Sequence, residues 1–581
     1  MQLGYHETMK NQELSEIFLQ IAQILEFRGK PNDLFRIRAY SNASMALAGL
    51  AEDIGDIAAR GDLRKIPSIG AGIAAHIEEM VKTGSFQEYK QLKKKIPVDI
   101  SGLLAVEGIG PQMIKTLWQK LRIKNLAELE KAAKLGKISD LARFGLKSEQ
   151  KILKGIEFLK SSGGRRVLGF MLPEIRALEK MIQSFDGVEK AVVVGSVIRW
   201  RETIGDIDIL AMSSKPEHVV ERFLALPFIA HVYGKGEAKV NVRLKNGLDA
   251  DLLVVPKSSF GAALNYFTGS KYHNIALRDI AIRKGMKLNE YGLYKGKKMI
   301  AGKTEEEIYH ALGLKEIPPP EIREDTGELQ AAKLGTLPKL IEYGDLRGDL
   351  QVQTNWTDGE NSIEEMVHAA QKAGLEYIVI TDHTRSLAMT GGADEKKLLQ
   401  QVAEIKKIQK QFKGFRILAG AEVNIGKDGT LDINDETLAK LDVVGAAVHS
   451  HFNLSRAEQT NRIIRAMENP HVDIIFHLTG RMINTRKPIE VDVDAVIAAA
   501  KRTHTVLEID AYPDRLDIKD EYIRKCVESG VKMSIDSDAH ATQHFNYLEV
   551  GIAQARRGWA EKKDIINAWP VEKMLGFLKK L

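Results

Sequence analysis

Apolar residues recur at three- and four-residue intervals through ELSEIFLQIAQILEF (13–27) and AAHIEEMVKTGSFQEYKQLKK (74–94). That spacing puts them on one face of a helix, so residues 1–160 read as helical. Residues 165–310 read differently. KAVVVGS (190–196), GDIDILAM (205–212), KVNVRL (239–244) and DADLLVV (249–255) are short β-branched and aliphatic runs of strand type. From 341 onward such runs alternate with longer helical stretches: YIVITDH, RILAGAEV, DVVGAAVHSH, DIIFHLTG, TVLEIDAY and KMSIDSDAH. Strand–helix alternation repeated this often predicts parallel strands in a closed or nearly closed barrel. The seam between the last two regions runs from Leu312 to Leu340. It holds Pro318-Pro319-Pro320 and the charged EIREDTGE, and reads as a linker or an extended crossing segment.

A weak repeat lies in the helical region. Ile66-Pro-Ser-Ile-Gly70-Ala-Gly72-Ile is echoed by Val106-Glu-Gly108-Ile-Gly110-Pro-Gln-Met. Glycines between two amphipathic helices suggest a helix-hairpin-helix, in which they allow a tight turn and let backbone N–H groups approach a phosphate. Such loops hold nucleic-acid backbone without reading sequence. Lys82, Lys93, Lys94, Lys95, Lys115 and Lys120 lie nearby.

Composition narrows the classes. The 581 residues are 44% hydrophobic and 28% charged, which excludes a wholly disordered chain, a fibre and a collagen. No apolar run approaches the ~20 residues of a membrane span, and the N-terminus lacks a signal-type apolar core. A cytoplasmic protein with no membrane partner is expected. Cys526 is the single cysteine, which excludes a disulfide framework; it reads as helix filler. The net charge of +6 is too small to specify an anionic partner, so local patches would have to hold one.

Asp206 and Asp208 in GDIDI stand on one face of a strand, ~6.6 Å apart along it. Adjacent buried carboxylates repel, and a divalent cation between them removes that cost. Asp251 in the strand DADLLVV could complete an acidic triad, but Asp249 has the same parity and spacing alone does not choose between them. Upstream, Gly195-Ser196 ends a strand before a segment bearing Arg199, and such a turn offers donors to phosphate oxygens. Together these residues suggest two-metal phosphoryl transfer.

GSVIRWRETIGDIDI (195–209) and YFTGSKYHNIALR (266–278) resemble the catalytic and nucleotide-binding motifs of family X DNA polymerases, within the nucleotidyltransferase superfamily. The resemblance implies Asp206, Asp208 and Asp251 as catalytic ligands of Mg2+ or Mn2+. Gly195, Ser196 and Arg199 would hold the triphosphate. Tyr266, Phe267 and Gly269 would sit beside the incoming sugar, Asn274 at the base-pair minor groove and Arg278 at the template. Gly70, Gly72, Gly108 and Gly110 would meet DNA backbone. Two positions depart from the pattern. Ile198 replaces the first arginine of the usual pair, and His76 stands where lyase-competent relatives carry a Schiff-base lysine. Imidazole cannot form that imine, so lyase activity is not expected, and His76 reads as a polar helix-face residue.

Nine of the 15 histidines lie in residues 341–581. His383, Glu422, His449, His477, Asp538 and His540 each sit in or just after a predicted strand. In a parallel barrel those ends converge on one face, and such ligands suit Zn2+ or Mn2+. The pattern resembles the polymerase and histidinol phosphatase (PHP) domain, which implies a phosphoesterase cluster of up to three metals and 3′-to-5′ exonuclease activity in polymerase-linked members. By resemblance, one metal would use two strand-end histidines with Glu422 and Asp538. A second would use Glu422, His449 and His477, and a third Asp358, His383 and His540. Gln351 and Gln353 stand in the two histidine positions of the first. A neutral amide is a poor transition-metal ligand, so partial metal loading and weak or absent nuclease activity are expected. Arg481 in HLTGR reads either as phosphate-facing or as an ordinary loop residue.

The expected architecture is multidomain. A helical helix-hairpin-helix DNA-binding domain (1–90) is followed by a second hairpin region (91–165). Then come an α+β nucleotidyltransferase palm (166–260), a thumb-like nucleotide-binding subdomain (261–315), a linker (316–340) and a distorted TIM-like PHP barrel (341–581). The expected function is template-directed gap filling in DNA repair, by a monomer acting on gapped or primer–template DNA with dNTPs. The alternative is a metal-dependent 3′-end phosphoesterase or exonuclease whose main activity is the barrel's.

Overall fold

The computed structural model describes residues 11–48, 54–66, 68–96, 98–104, 106, 109–141, 144–161, 164–387 and 390–578. Gly108 lies outside the described residues. The chain divides into two compact units, Met1–Arg165 with Met482–Lys487, and Arg166–Arg481 with Pro488–Leu581.

The first unit is helical. Leu14, Phe18, Ile21 and Leu25 share the buried stripe of helix Asn11–Arg28, in one core with Tyr40, Ile77, Ile114 and Leu117 from later helices and with Phe86, which precedes helix Gln87–Lys95. Helices Ala71–Thr83 and Pro111–Leu121 begin at Gly70 and Gly110. Both glycines have extended backbone (φ −75° and −110°), and a Cβ on either would meet nothing within 4 Å. The left-handed residue of the first hairpin is Ser68, at φ 65°. Neither glycine is therefore required by a tight turn; both leave an open backbone at a helix start. His76 is not a free helix-face residue. It stacks on Phe86 with centroids 4.5 Å apart, and its Nδ1 lies 3.0 Å from the Tyr40 hydroxyl.

The second unit opens with a five-stranded sheet of β1 (Val188–Val193), β2 (Asp206–Ser213), β3 (Ile229–Lys235), β4 (Lys239–Leu244) and β5 (Asp249–Val255), in the order β1-β2-β5-β4-β3. Only β2 and β5 pair in parallel, which sets Asp206 opposite Asp249 and Asp208 opposite Asp251. Helices Phe260–Thr268 and Lys271–Arg283 follow, then a three-stranded antiparallel sheet within residues 287–301.

The C-terminal barrel consists of β6 (Gly348–Val352), β7 (Tyr377–Ile380), β8 (Arg416–Asn424), β9 (Val443–Ala447), β10 (Ile474–Ile475), β11 (Val506–Asp510) and β12 (Met533–Asp536). Each pairs in parallel with the next, and a parallel bridge between Val352 and Ala539 closes the ring. Both faces of the strands are buried, as their unbroken apolar runs require.

Residues 316–340 are a packed crossing segment. Arg323 is buried and forks onto Glu305 (2.6 and 3.2 Å), while Glu328 accepts from buried His273 at 2.7 Å. Glu321 takes the Arg556 guanidinium at 2.6 Å. Each of these charges meets an opposite charge or hydrogen-bond donors, which is how they tolerate burial.

The sheet-bearing half and the barrel also meet directly. A Cβ on Gly169 would lie 2.6 Å from Cβ of Pro513, and the Phe170 ring stands edge-on to Tyr512 and Tyr547. Arg176 forks onto Glu549 at 2.8 and 2.9 Å. Arg481 neither faces a phosphate nor behaves as an ordinary loop residue. It is buried, and its guanidinium pairs with Glu202 at 2.5 and 3.1 Å while Nε donates to the Arg515 carbonyl.

Candidate active sites

In the sheet, β2 and β5 bring four aspartates to one face. Arg243 of β4 takes Asp249 in a two-pronged pair (2.6 and 3.0 Å). Asp251 instead lies across from Asp208 and, with Asp206, acts electrostatically on it. Burial, then the charges of Asp206 and Asp251, push the Asp208 carboxyl up to about 6 from 3.8. Lys239 and Arg199 work in the opposite direction.

Gly195 closes this site from above. Its φ is +67°, and a Cβ there would fall 2.2 Å from Oδ2 of Asp208. The Val194 N–H donates to the Asp208 carbonyl at 2.8 Å, so the Gly195-Ser196 turn is seated on the acidic strand. Ser196 and Val197 continue into the one-turn helix Gly195–Ile198, and Ile198 packs against the sheet core.

The Arg199 guanidinium spans the mouth. Nη1 donates to the carbonyls of Gly195 (3.0 Å) and Thr268, and Nε lies 3.4 Å from Glu324. Gly269 follows, close enough that a Cβ would reach Arg199 Nη1 at 3.0 Å. Tyr266 is partly exposed, with its ring 5.1 Å from Phe267. Asn274 donates to the Tyr266 carbonyl at 2.7 Å, while its buried Oδ1 has no partner. Arg278 donates to the Asn274 carbonyl at 3.1 Å. Arg199 thus joins the two motifs through its contacts with Gly195, Thr268 and Gly269.

In the barrel, Glu422 is the hub. Its Oε1 lies 2.9 Å from His449 Nε2 and 2.8 Å from His477 Nε2. Its Oε2 lies 3.3 Å from His383 Nδ1 and accepts from the amides of Gln351 (3.2 Å) and Gln353 (2.9 Å). Burial alone would raise the Glu422 carboxyl, but the surrounding imidazoles hold it well below the usual range. Among the described residues, two groups have ligand atoms all within 4.8 Å: Asp358, His383 and His540, and His383, Glu422 and His449. Among the described residues, Asp206, Asp208 and Asp251 do not form a third such group. His477 (φ 27°) and Asp538 (φ 49°) hold left-handed backbone, a conformation uncommon outside glycine.

Some residues near the cluster were not anticipated. The half-buried Arg515 guanidinium lies 3.4 Å from Asp538 and 3.6 Å from Asp510. Asp349, Glu508, Asp510 and Asp536 line the barrel interior, and burial with mutual repulsion raises their carboxyls. For Glu508, Asp510 and Asp536 the available signal is their placement near strand ends in LEID and MSIDSD. His544 is packing: it stacks on Tyr547, and burial pushes it down to about 3.

A helical unit, an acidic sheet under a glycine–serine turn, and a histidine-lined parallel barrel together define a class of nucleic-acid enzyme. Comparison with known proteins narrows it. Residues 9–86 match a helix-hairpin-helix domain, 263–324 the DNA polymerase beta thumb, and 349–569 the PHP domain. The DNA polymerase/3'-5' exonuclease PolX of Bacillus subtilis (strain 168) is 35% identical over 576 residues, covering 98% of this chain and 100% of that one. A probable phosphatase of Thermoanaerobacter sp. (strain X514) is 31% identical over 229 residues, 38% of this chain and 88% of that protein. A probable phosphatase of Acetivibrio thermocellus is 31% identical over 188 residues, 31% of this chain and 73% of that protein. The chain belongs to the family X DNA polymerases that carry a PHP domain.

Proposed function

We propose that this protein fills gaps in primer–template DNA during repair, using dNTPs, with Asp206, Asp208 and Asp251 as its catalytic carboxylates. The observation that supports this reading is the seating of Gly195 against Asp208, where an added Cβ would fall 2.2 Å from Oδ2, so that the Gly195-Ser196 turn lies against the acidic strand. The donor set fits a divalent cation, because Asp208 is held among like charges at a cost that Mg2+ or Mn2+ would remove. When bound, such ions lower the pKa of the primer 3′-hydroxyl and neutralise the triphosphate and leaving pyrophosphate. The chain's own residues do the rest. Arg199 and the Ser196 turn grip the triphosphate, Tyr266, Phe267 and Gly269 flank the sugar, and Asn274 and Arg278 face the nascent pair and template. Asp208→Ala should abolish incorporation into a gapped substrate while leaving the thermal melt near wild type. Retained incorporation would overturn the assignment.

The barrel is assigned a weakened or absent 3′-end nuclease. The site that carries Gln351 and Gln353 does not fit a metal: both glutamines aim N–H donors at Glu422, and their Oε1 atoms have no partner. Two clusters of suitable donors remain around Asp358, His383, His540, Glu422 and His449, and these fit Zn2+ or Mn2+. They are what favours the second reading, a barrel that shortens 3′ ends as its main activity. Shortening by the unaltered protein with Mn2+, abolished by His449→Ala, would establish it.

A further inference from the structure

Arg557 ends the barrel helix Leu548–Arg557, and its guanidinium is almost wholly buried, with its side chain 3% exposed. It reaches three separate elements. Nη2 pairs with Asp520 of the barrel at 2.5 Å. Nη1 donates to the Arg199 carbonyl of the palm at 2.8 Å and to the Glu321 carbonyl of the crossing segment at 3.4 Å. The same Nη1 lies 3.5 Å from Glu324, the carboxylate on which Arg199 rests its Nε at 3.4 Å. Arg201 reaches the same Glu324 oxygen at 3.5 Å. One carboxylate thus faces three guanidinium groups.

From this we infer that Arg557 of the barrel is a positioning residue for nucleotide binding in the palm. The inference rests on the reading of Arg199 as the triphosphate arginine. Two physical effects act in one direction. Arg557 fixes the Arg199 backbone through its carbonyl, so the side chain starts from a set point at the mouth of the cleft. It also shares the charge of Glu324. Without Arg557, Glu324 would be balanced by Arg199 and Arg201 alone and would compete harder with a triphosphate for the Arg199 guanidinium. Partly desolvated charges at this separation interact strongly enough for that competition to matter. The barrel thereby contributes to polymerase substrate affinity whether or not it cleaves anything.

The test uses the full chain, gapped DNA, a single dNTP and pyrophosphate as product inhibitor. Arg557→Met should raise KM for the dNTP about ten-fold and weaken pyrophosphate inhibition in parallel, with kcat within about two-fold. General loosening of the fold would lower kcat and Tm without moving the pyrophosphate constant in step. Arg557→Lys keeps the charge and one donor and should show a smaller rise of the same kind. Should the Met variant not fold, the Lys variant decides. The cycle closes with Arg199→Ala, in whose background Arg557→Met should have no further effect on KM. An unchanged KM in Arg199→Ala would overturn the reading of Arg199 itself. A raised KM in Arg199→Ala with wild-type values in a folded Arg557 variant would overturn the present inference alone.

Discussion

Substituting Gly195 by alanine tests the acidic site without replacing any of its carboxylates. The added Cβ falls 2.2 Å from Asp208 Oδ2 and 3.2 Å from its Cγ, far inside contact distance. The Asp208 carboxylate must retreat by about 1 Å, or the turn must lift by as much. The backbone adds its own penalty, since alanine at φ +67° costs ~1–2 kcal/mol that glycine does not. The penalty lowers stability moderately, whereas the displacement acts on the chemistry. A misplacement of ~1 Å costs on the order of 100-fold in rate where reacting groups must be held in line. Gly195→Ala should therefore reduce kcat/KM for single-nucleotide incorporation about 100-fold, while the protein stays folded and its affinity for gapped DNA is unchanged. The assay is single-turnover extension of a labelled primer, with a thermal melt and a DNA-binding titration alongside. A folded variant within about three-fold of wild type would refute the reasoning, because Asp208 would then not need the position seen here.

Other outcomes follow from the same geometry. The double change Gln351→His with Gln353→His should raise the Mn2+ content by one ion per chain and increase 3′-end shortening; unchanged metal content would count against the amides as a barrier to a metal there. Cys526 is buried, and burial pushes its thiol up to about 12, so a thiol reagent at pH 8 should react only after denaturation. Rapid labelling of the native protein would contradict its packing. The folded Asp208 carboxyl titrates near 6 against 3.8 when free, so the folded state holds its proton longer and metal-free stability falls as pH rises through that interval. A cation that offsets the charge reverses this, so the Mg2+-induced rise in Tm should be larger at pH 7 than at pH 5, and equal shifts would count against metal binding at Asp208.

Much of the fold is legible because its strands are buried and therefore apolar. β2, β5 and most barrel strands coincide with runs the sequence makes obvious. β3 is missed for the converse reason: IAHVYGK lies at the sheet edge with most of its residues exposed, and nothing forces an apolar pattern on it. The acidic pair and the strand-end histidines are legible because chemistry dictates both residue type and place. What sequence leaves open is partnership between distant segments. Asp249 and Asp251 have equal claims until Arg243, on a neighbouring strand, occupies one of them. EIREDTGE reads as part of a linker or an extended crossing segment, and its sequence gives no sign that Glu321, Arg323 and Glu328 are buried, each against an opposite charge or donor from elsewhere in the chain. Arg515 and Arg557 escape notice for the same reason.

The contact of Gly169 with Pro513 has a consequence for how such a gene can change over generations. A mutation that blunts barrel chemistry at Gln351 or Gln353 leaves this joint untouched. A deletion that discards the barrel strips the cover from Phe170 and leaves Glu202 without Arg481. Selection acting on the polymerase alone would therefore preserve the barrel's architecture while allowing its chemistry to decay.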